Sequence, residues 1–459
     1  MRPLLVIPTT AATVLVATTA PAAAPASPRF SATQEPLVGN LIAPGDRVEI
    51  AYDTVGTRSP AGAVYVRNDL ERRFQRLRLK LRKGTTALQT AVPRRLIRGH
   101  RLLYYAILRD RRTGLSVTVR SPAAWILSRA VVVSLGRHAF GHTRTPDAVV
   151  AHARAEQVGW QLSEPGHGPS FGPETFLVRS DGSVWLEDSL NNRLLAWQTG
   201  RPYAPASSLQ LPPFSADHDV AFGPNGSVYV TGTIKTGTAH YHVLYRVAAD
   251  GRVLWRVRLG GYGRDDGAFA VGVNSPLRLG PDGTVYCLVG MFNRPGGEPG
   301  WMPVATRDGR PIAIPQQRRR TLWPYQPVAR GLRLVSETYT AVVDGAPHEA
   351  RYALIDRRGR VVRAWRVLSR TAINFNYTTP ELIGGNVVVV LDVTAGRQWE
   401  YEVLRLGARG AVARLSLPRA VFGDNLLADI RIGPDGRLYQ LGSSPVSGVS
   451  IYRYSLEQS

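Results

Sequence analysis

Apolar and polar positions alternate along this chain in short runs, and most runs are separated by a turn that carries glycine. The clearest case is Phe176–Arg193, where Phe-Leu-Val-Arg leads into Ser-Asp-Gly-Ser and Val-Trp-Leu-Glu follows. The same rhythm returns at Val220–Val230 around Asn225-Gly226, at Leu277–Leu288 around Asp282-Gly283, and at Ile430–Leu441 around Asp435-Gly436. Alternation with period two on both sides of such a pair predicts a β-hairpin. Glycine accepts a positive φ and Asn or Asp tolerates one, so the expected connection is a tight two-residue turn.

A second hairpin follows the first: Leu194–Trp197, Leu244–Val247 with Val253–Leu259, Met302–Ala305 with Ile312–Ile314, and Ala353–Ile355 with Val361–Val367. Two hairpins make a four-stranded sheet. A unit of this kind recurring about every 45–55 residues buries its faces only by stacking on its copies. The predicted fold class is all-β, with a six-bladed β-propeller at 157–459. Four blades read clearly, and two degenerate ones fall at Leu332–Val367 and Leu382–Leu417. The last blade lacks an outermost strand after Ile451–Tyr454. Gln157–Leu162 looks like the outer strand around Trp255, so 157–162 is expected to close the ring and remove an exposed edge.

Upstream, 1–26 reads as a secretory signal: Arg2, an apolar run Leu4–Ala20, then Ala22-Ala23-Ala24 as a cleavage site. An uncleaved anchor is the alternative, but Pro8 and several threonines interrupt the run. After signal removal no membrane span is expected, and the protein should be secreted or associated with the cell envelope. Residues 27–46 read as a linker. Short strands with turn signals fill 47–130 and predict a β-sandwich. In the connector 131–156, Pro146–Glu156 has helical composition with proline near its first position, which predicts one short helix.

Asp181-Gly182, Val184-Trp185, Glu187-Asp188-Ser189 and Asn191-Asn192-Arg193-Leu194 resemble the NHL-repeat and gluconolactonase-like propellers. The other copies keep only the Gly-Pro-Asp/Asn-Gly part of the pattern. The resemblance implies a propeller. It implies no single activity, because such propellers include sugar-lactone hydrolases, a zinc-dependent amidating lyase, RNA-binding domains and extracellular sensor domains. The strand rhythm of 47–130 resembles Ig-like and fibronectin-III-like sandwiches. With one cysteine in the chain, an antibody-type disulfide is excluded.

Charge changes the picture next. The chain carries a formal +23, and all its basic residues except Lys80, Lys83 and Lys235 are arginine. The segment 67–112 holds 15 of the 57 Lys and Arg, against Asp69, Glu71 and Asp110. Within it Arg76, Arg78, Lys80 and Arg82 alternate with leucines, and a strand would place the four cations on one face, roughly 6.5–7 Å apart. Such a comb is either a solvated face or a surface for anionic polymer. An anionic cell-envelope polymer or a small molecule is the expected partner. Only Phe74 shares that face as an aromatic platform, which argues against nucleic acid. Cys287 falls in a predicted strand and reads as a small buried apolar residue.

Ligand sites in propellers gather where the chain leads into the innermost strands. Counting back from each Gly turn finds Glu174, then Asp217, His218 and Asp219, then Asn274, then Asp429. Glu174, His218 and Asp219 are the candidate metal ligands, for calcium through oxygen or zinc through the imidazole. A divalent cation there would make the chain a metal-assisted hydrolase or lyase. Without one, these are ligand-binding or loop residues. No arginine stands in register with them, so a cation or shared protons is the expected answer to their mutual repulsion. His138, His142, His152 and His167 match no zinc spacing, and Gly260–Gly267 lacks the setting of a phosphate loop. No Gly-x-Ser-x-Gly elbow is present.

Overall fold

The computed structural model describes residues 30–34, 40–120, 124–162, 171–173, 175–214, 219–236, 239–262, 276–289, 300–312, 326–329, 331–339, 348–374, 379–420 and 429–457. Apart from short 3-10 turns, its regular structure is β-strand. No helix among the described residues is long and apolar enough to cross a membrane.

Residues 31–126 form two sheets. Ile50 and Tyr52 from one sheet meet Val64, Val66, Leu102 and Tyr104 from the other in a single core. The segment expected to be a linker already contributes strands, Ser31–Gln34 and Leu41–Ile42.

Six sheets of three to five strands follow among the described residues. In order, the strands that open their repeating hairpins, called first strands here, are Thr175–Val178, Val220–Phe222, Leu277–Leu279, Gln326–Ala329, Glu381–Ile383 and Ile430–Ile432. They are called here the first to the sixth sheet. Among the described residues, apolar layers lie between the following neighbouring sheets. Leu177 and Leu194 meet Val220 and Val230 between the first and second, and Tyr229 and Leu244 meet Leu277 and Cys287 between the second and third. Leu354 meets Val389 between the fourth and fifth, and Val390 meets Leu438 between the fifth and sixth. Leu441 and Ile451 meet Phe176 and Leu186, which brings the sixth back onto the first. This is a β-propeller: stacked sheets cover faces that a lone sheet would leave wet, and the fourth sheet packs its other face on residues of the N-terminal sheets. Cys287 is buried in this packing, as its apolar surroundings predict.

The repeating turn is longer than the tight hairpin predicts. Val178 pairs with Val184, Phe222 with Val228, Leu279 with Val285 and Ile432 with Leu438, leaving five residues in each connection. Only the glycine takes positive φ at Asp181-Gly182 (+78°), Asp282-Gly283 (+80°) and Asp435-Gly436 (+73°). The aspartate instead turns its carboxylate onto the backbone two residues on. Asp181 Oδ1 accepts from Ser183 N, Asp282 Oδ1 from Thr284 N and Asp435 Oδ1 from Arg437 N. That local bond, and not tolerance of positive φ, is what the aspartate supplies.

The sixth sheet does take its outermost strand from upstream, but from Ala148–Ala153, which runs antiparallel to Gly448–Tyr454. This corrects two expectations together. Gln157–Leu162 is not the closing strand: 155–157 is a 3-10 turn, and the Trp160 indole donates back to Ala155 O. Nor does Pro146–Glu156 form a helix. Its alanine content favours one, but the open edge of the sixth sheet offers a full ladder of partners, and that prevails over propensity.

The whole segment 131–159 acts as a strap. Val131–Gly136 lies parallel on Val361–Ser369 of the fourth sheet, and Arg144 N donates to Ser416 O of the fifth. Ala148–Ala153 completes the sixth, and Gly159 N donates to Asp188 Oδ1 of the first. The sandwich is fixed to the fourth sheet as well. Leu41, Trp125 and Leu127 share an apolar cluster with Val335, Ala353 and Ile355. Arg351 donates to Leu41 O at 2.8 Å and to Asp46, while Leu41 N donates to Glu337 at 2.8 Å.

Candidate functional site

Asp219 and Asp429 each stand one residue before a first strand. Their own carbonyls accept from the second strand, from Thr231 N at 2.9 Å and Leu441 N at 2.7 Å, so the register of the hairpin fixes both. The Asp219 carboxylate is held on every side. It accepts from Val220 N at 2.9 Å and from Thr175 Oγ1 of the first sheet at 3.3 Å. It also accepts from Leu277 N of the third sheet at 2.6 Å, and it pairs with Arg431 Nη2 of the sixth. Three of these donors fall on Oδ1 and one, Leu277 N, on Oδ2.

Arg431 overturns the expectation that no arginine stands in register. A second one does the same across the axis. Arg278 of the third sheet grips Glu381 of the fifth through Nη1 (2.8 Å) and Nη2 (2.7 Å), and Nη1 also donates to Pro380 O. Gln326 of the fourth sheet reaches the same Pro380 carbonyl. Both arginines lie two residues beyond the lead-in position, at Asp429 + 2 and Pro276 + 2. A strand repeats its faces every second residue, so a count continued by two positions would have found them. The described part of the axis is thus crossed by two guanidinium–carboxylate pairs.

Asp429 has different surroundings. Its Oδ2 accepts from the Tyr401 hydroxyl at 2.6 Å. Burial pushes the Asp429 carboxyl up to about 6, against the opposing pull of the Tyr401 hydrogen bond. Tyr401 is itself driven well up, by burial first and then by Asp429 and Asp392. No hydrogen-bonding partner recorded for Asp429 is shared with Asp219. Glu174, Asp217, His218 and Asn274 lie outside the described residues. Among the described residues no group of three or more His, Cys, Asp and Glu has metal-binding geometry.

The strap brings one cluster that the histidine spacing did not reveal. His138 is 6 % exposed, and its two ring nitrogens face Glu402 (Nδ1, 2.8 Å) and Glu400 (Nε2, 2.7 Å). Arg414 pairs with the far side of Glu402, and Gly141 N donates to Glu400 at 2.7 Å. The available signal was Glu400 and Glu402 themselves. Two acids at i and i+2 share one face of a strand, and within the otherwise apolar run Trp399–Leu404 they need a cation.

The basic comb is also rearranged. Gln75–Arg78 belongs to one sandwich sheet and Lys80–Leu81 to the other, because the chain changes sheets at the buried Leu79. Arg76, Arg78 and Lys80 are exposed, but not on one strand. Arg82 is half-buried and donates to Gln89 Oε1 at 2.8 Å. In place of the comb, one outer sheet face carries a row across four strands. Arg120 pairs with Tyr105, Tyr105 with Tyr65, and Tyr65 with Arg76. The two tyrosine rings stack with centroids 4.9 Å apart and planes 7° from parallel. Phe74 meets Tyr105 edge-on at 5.2 Å, and Arg67 lies 5.0 Å over Phe74. The next row along the same face places Thr118, Ile107, Ala63 and Arg78 in line. Phe74 is therefore not the sole aromatic beside these cations. Tyr65 and Tyr105 come from strands whose pairing no local pattern reveals.

No family model and no curated protein matches the chain. Among solved structures it is similar to virginiamycin B lyase from Staphylococcus aureus, at 11 % identity and a TM-score of 0.29, over 92 % of this chain and 99 % of that one. It is also similar to a eukaryotic initiation factor, at 11 % identity and a TM-score of 0.27, over 88 % and 98 %. A third is a quinonprotein alcohol dehydrogenase-like protein from Bacteroides thetaiotaomicron, at 10 % identity and a TM-score of 0.24, over 82 % and 94 %.

Proposed function

We propose that this chain is an exported binding module that holds an anionic polymer on the outer face of its N-terminal sandwich. The propeller, read as six blades, serves as a rigid carrier. The observation behind this reading is the charge of that face. Arg67, Arg76, Arg78, Arg109 and Arg120 point outward from four adjacent strands, and no outward position on those strands is acidic. The one acid on those strands, Asp110, is buried on the opposite side, where Thr57 and Thr113 bind it, and Glu71 stands at the margin of the face, its carboxylate accepting from Gln75. A one-signed face of this kind attracts polyanions over a Debye length and is screened by salt.

The test is elution of the full chain from a polyphosphate column. Replacing Arg76, Arg78 and Arg120 together with Ser should shift elution to lower salt and flatten its salt dependence, with the melting temperature little changed. Arg82 is left in place, since it serves Gln89. Unchanged elution would return the charge to composition alone and defeat the reading.

A further inference from the structure

We infer that the tyrosine pair on this face makes it a site for single-stranded nucleic acid. This inference rests on the polyanion reading above and narrows it. Three features of the row carry it.

First, Tyr65 and Tyr105 are half-exposed, and their rings are parallel, so they form a short stack standing on the sheet. A parallel stack presents an aromatic face at each end, and a flat heterocycle extends it at low cost. Second, the neighbour at each end of the row is an arginine, Arg76 beside Tyr65 and Arg120 beside Tyr105, one strand spacing (about 4.8 Å) away. A base seated on either tyrosine therefore places its phosphate within reach of a guanidinium. Third, Phe74 and Arg67 extend the same alternation of ring and cation to one side. Alternating aromatic and basic groups on an open sheet is the surface on which unpaired bases stack while their backbone is neutralised.

Competing polymers match less of it. Polyphosphate and polyuronate supply anions but no π-face. A duplex supplies phosphates with its bases already stacked inside. The site lies on the sandwich, away from the propeller axis, whose described part is crossed by ion pairs.

Fluorescence anisotropy of the full chain with a labelled oligothymidylate of roughly 20 nucleotides tests this. Its duplex, long-chain polyphosphate and a polyuronate are the comparison probes. The single strand should bind tightest and quench tyrosine emission. Replacing Tyr65 and Tyr105 together with Ala should weaken it about tenfold or more while polyphosphate binding holds. The Phe pair, which keeps the stack, should bind as the parent does. If the Ala pair melts early, a Leu pair replaces it, keeping cross-strand packing without a π-system.

Equal binding of oligothymidylate and polyphosphate, with neither affected by the tyrosine changes, overturns the stacking inference and leaves the polyanion reading standing. Preference for polyuronate or duplex overturns it likewise. Failure of every probe to bind defeats both.

Discussion

Arg431 Nη2, in the sixth sheet, ends on the Asp219 carboxylate of the second sheet and also donates to Thr175 Oγ1 of the first at 2.8 Å. One guanidinium thus ties three sheets together at the axis. Asp219 is only 2 % exposed, so losing that partner leaves a buried carboxylate short of a donor. Arg431→Met should destabilise the propeller by about 3–5 kcal/mol, as expected when one member of a buried pair is removed. Adding Asp219→Asn should recover part of the loss. Urea unfolding of both variants measures it. A single variant within about 0.5 kcal/mol of the parent would show that the pair carries no stability.

Asp429 gives a pH signature. Its carboxyl titrates near 6 when folded and near 3.8 when unfolded, so between those values the folded chain holds a proton that the unfolded chain has lost. This group's contribution to stability therefore falls as pH rises through that window, by up to about 1.4 kcal/mol per unit. Asp429→Asn keeps an acceptor for Tyr401 and removes the titration. The stability difference between variant and parent should grow from pH 4 to pH 6 in favour of the variant, then level off. A flat difference would contradict the burial of this carboxyl.

Glu349 has the opposite sign. Burial pushes it up, but the hydrogen bonds from Arg366 and Arg351 outweigh that and hold it below the ordinary value. Its contribution is present at neutral pH and is lost as pH falls through the folded value. Arg351 also holds Asp46 and Leu41 O, so this network anchors the sandwich. Arg351→Met should uncouple the two parts, turning one unfolding transition into two and exposing 40–47 to protease. A single transition at the parent's midpoint would show that the apolar cluster around Trp125 suffices.

His138 stands between two acceptors. Its Nδ1 reaches Glu402 and its Nε2 reaches Glu400, two residues apart on one strand of the fifth sheet. His138→Gln can serve only one glutamate at a time and should cost about 3 kcal/mol, read by thermal melting. A variant as stable as the parent would show that this bridge carries no stability.

The hairpins were legible because alternation and Gly turns are local. Val220, Phe222, Val228 and Val230 announce their strand pair without any tertiary knowledge. Other features depend on partners far along the chain. Ala148–Ala153 looks helical until the edge beside Gly448–Tyr454 is present. Arg278 and Arg431 were visible by parity, but nothing local says which carboxylate each one meets. The comb failed at Leu79, where a core position changes the sheet to which the chain belongs. The Tyr65–Tyr105 stack depends on the pairing of Pro60–Asn68 with Arg101–Asp110, which is a property of the sandwich and not of either segment.

The strap along 131–159 also bears on the order of events in folding. Its partners in the fourth, fifth and sixth sheets, Val361–Ser369, Ser416 and Gly448–Tyr454, follow it in the chain by hundreds of residues. Contacts of such separation form late, so the strap waits unpaired while the sheets assemble. During that wait the outer edge of the sixth sheet is open, and any strap of the right sequence fits it, including one from another molecule. At high concentration, refolding therefore has two outcomes, a ring closed on itself or two rings that have exchanged straps.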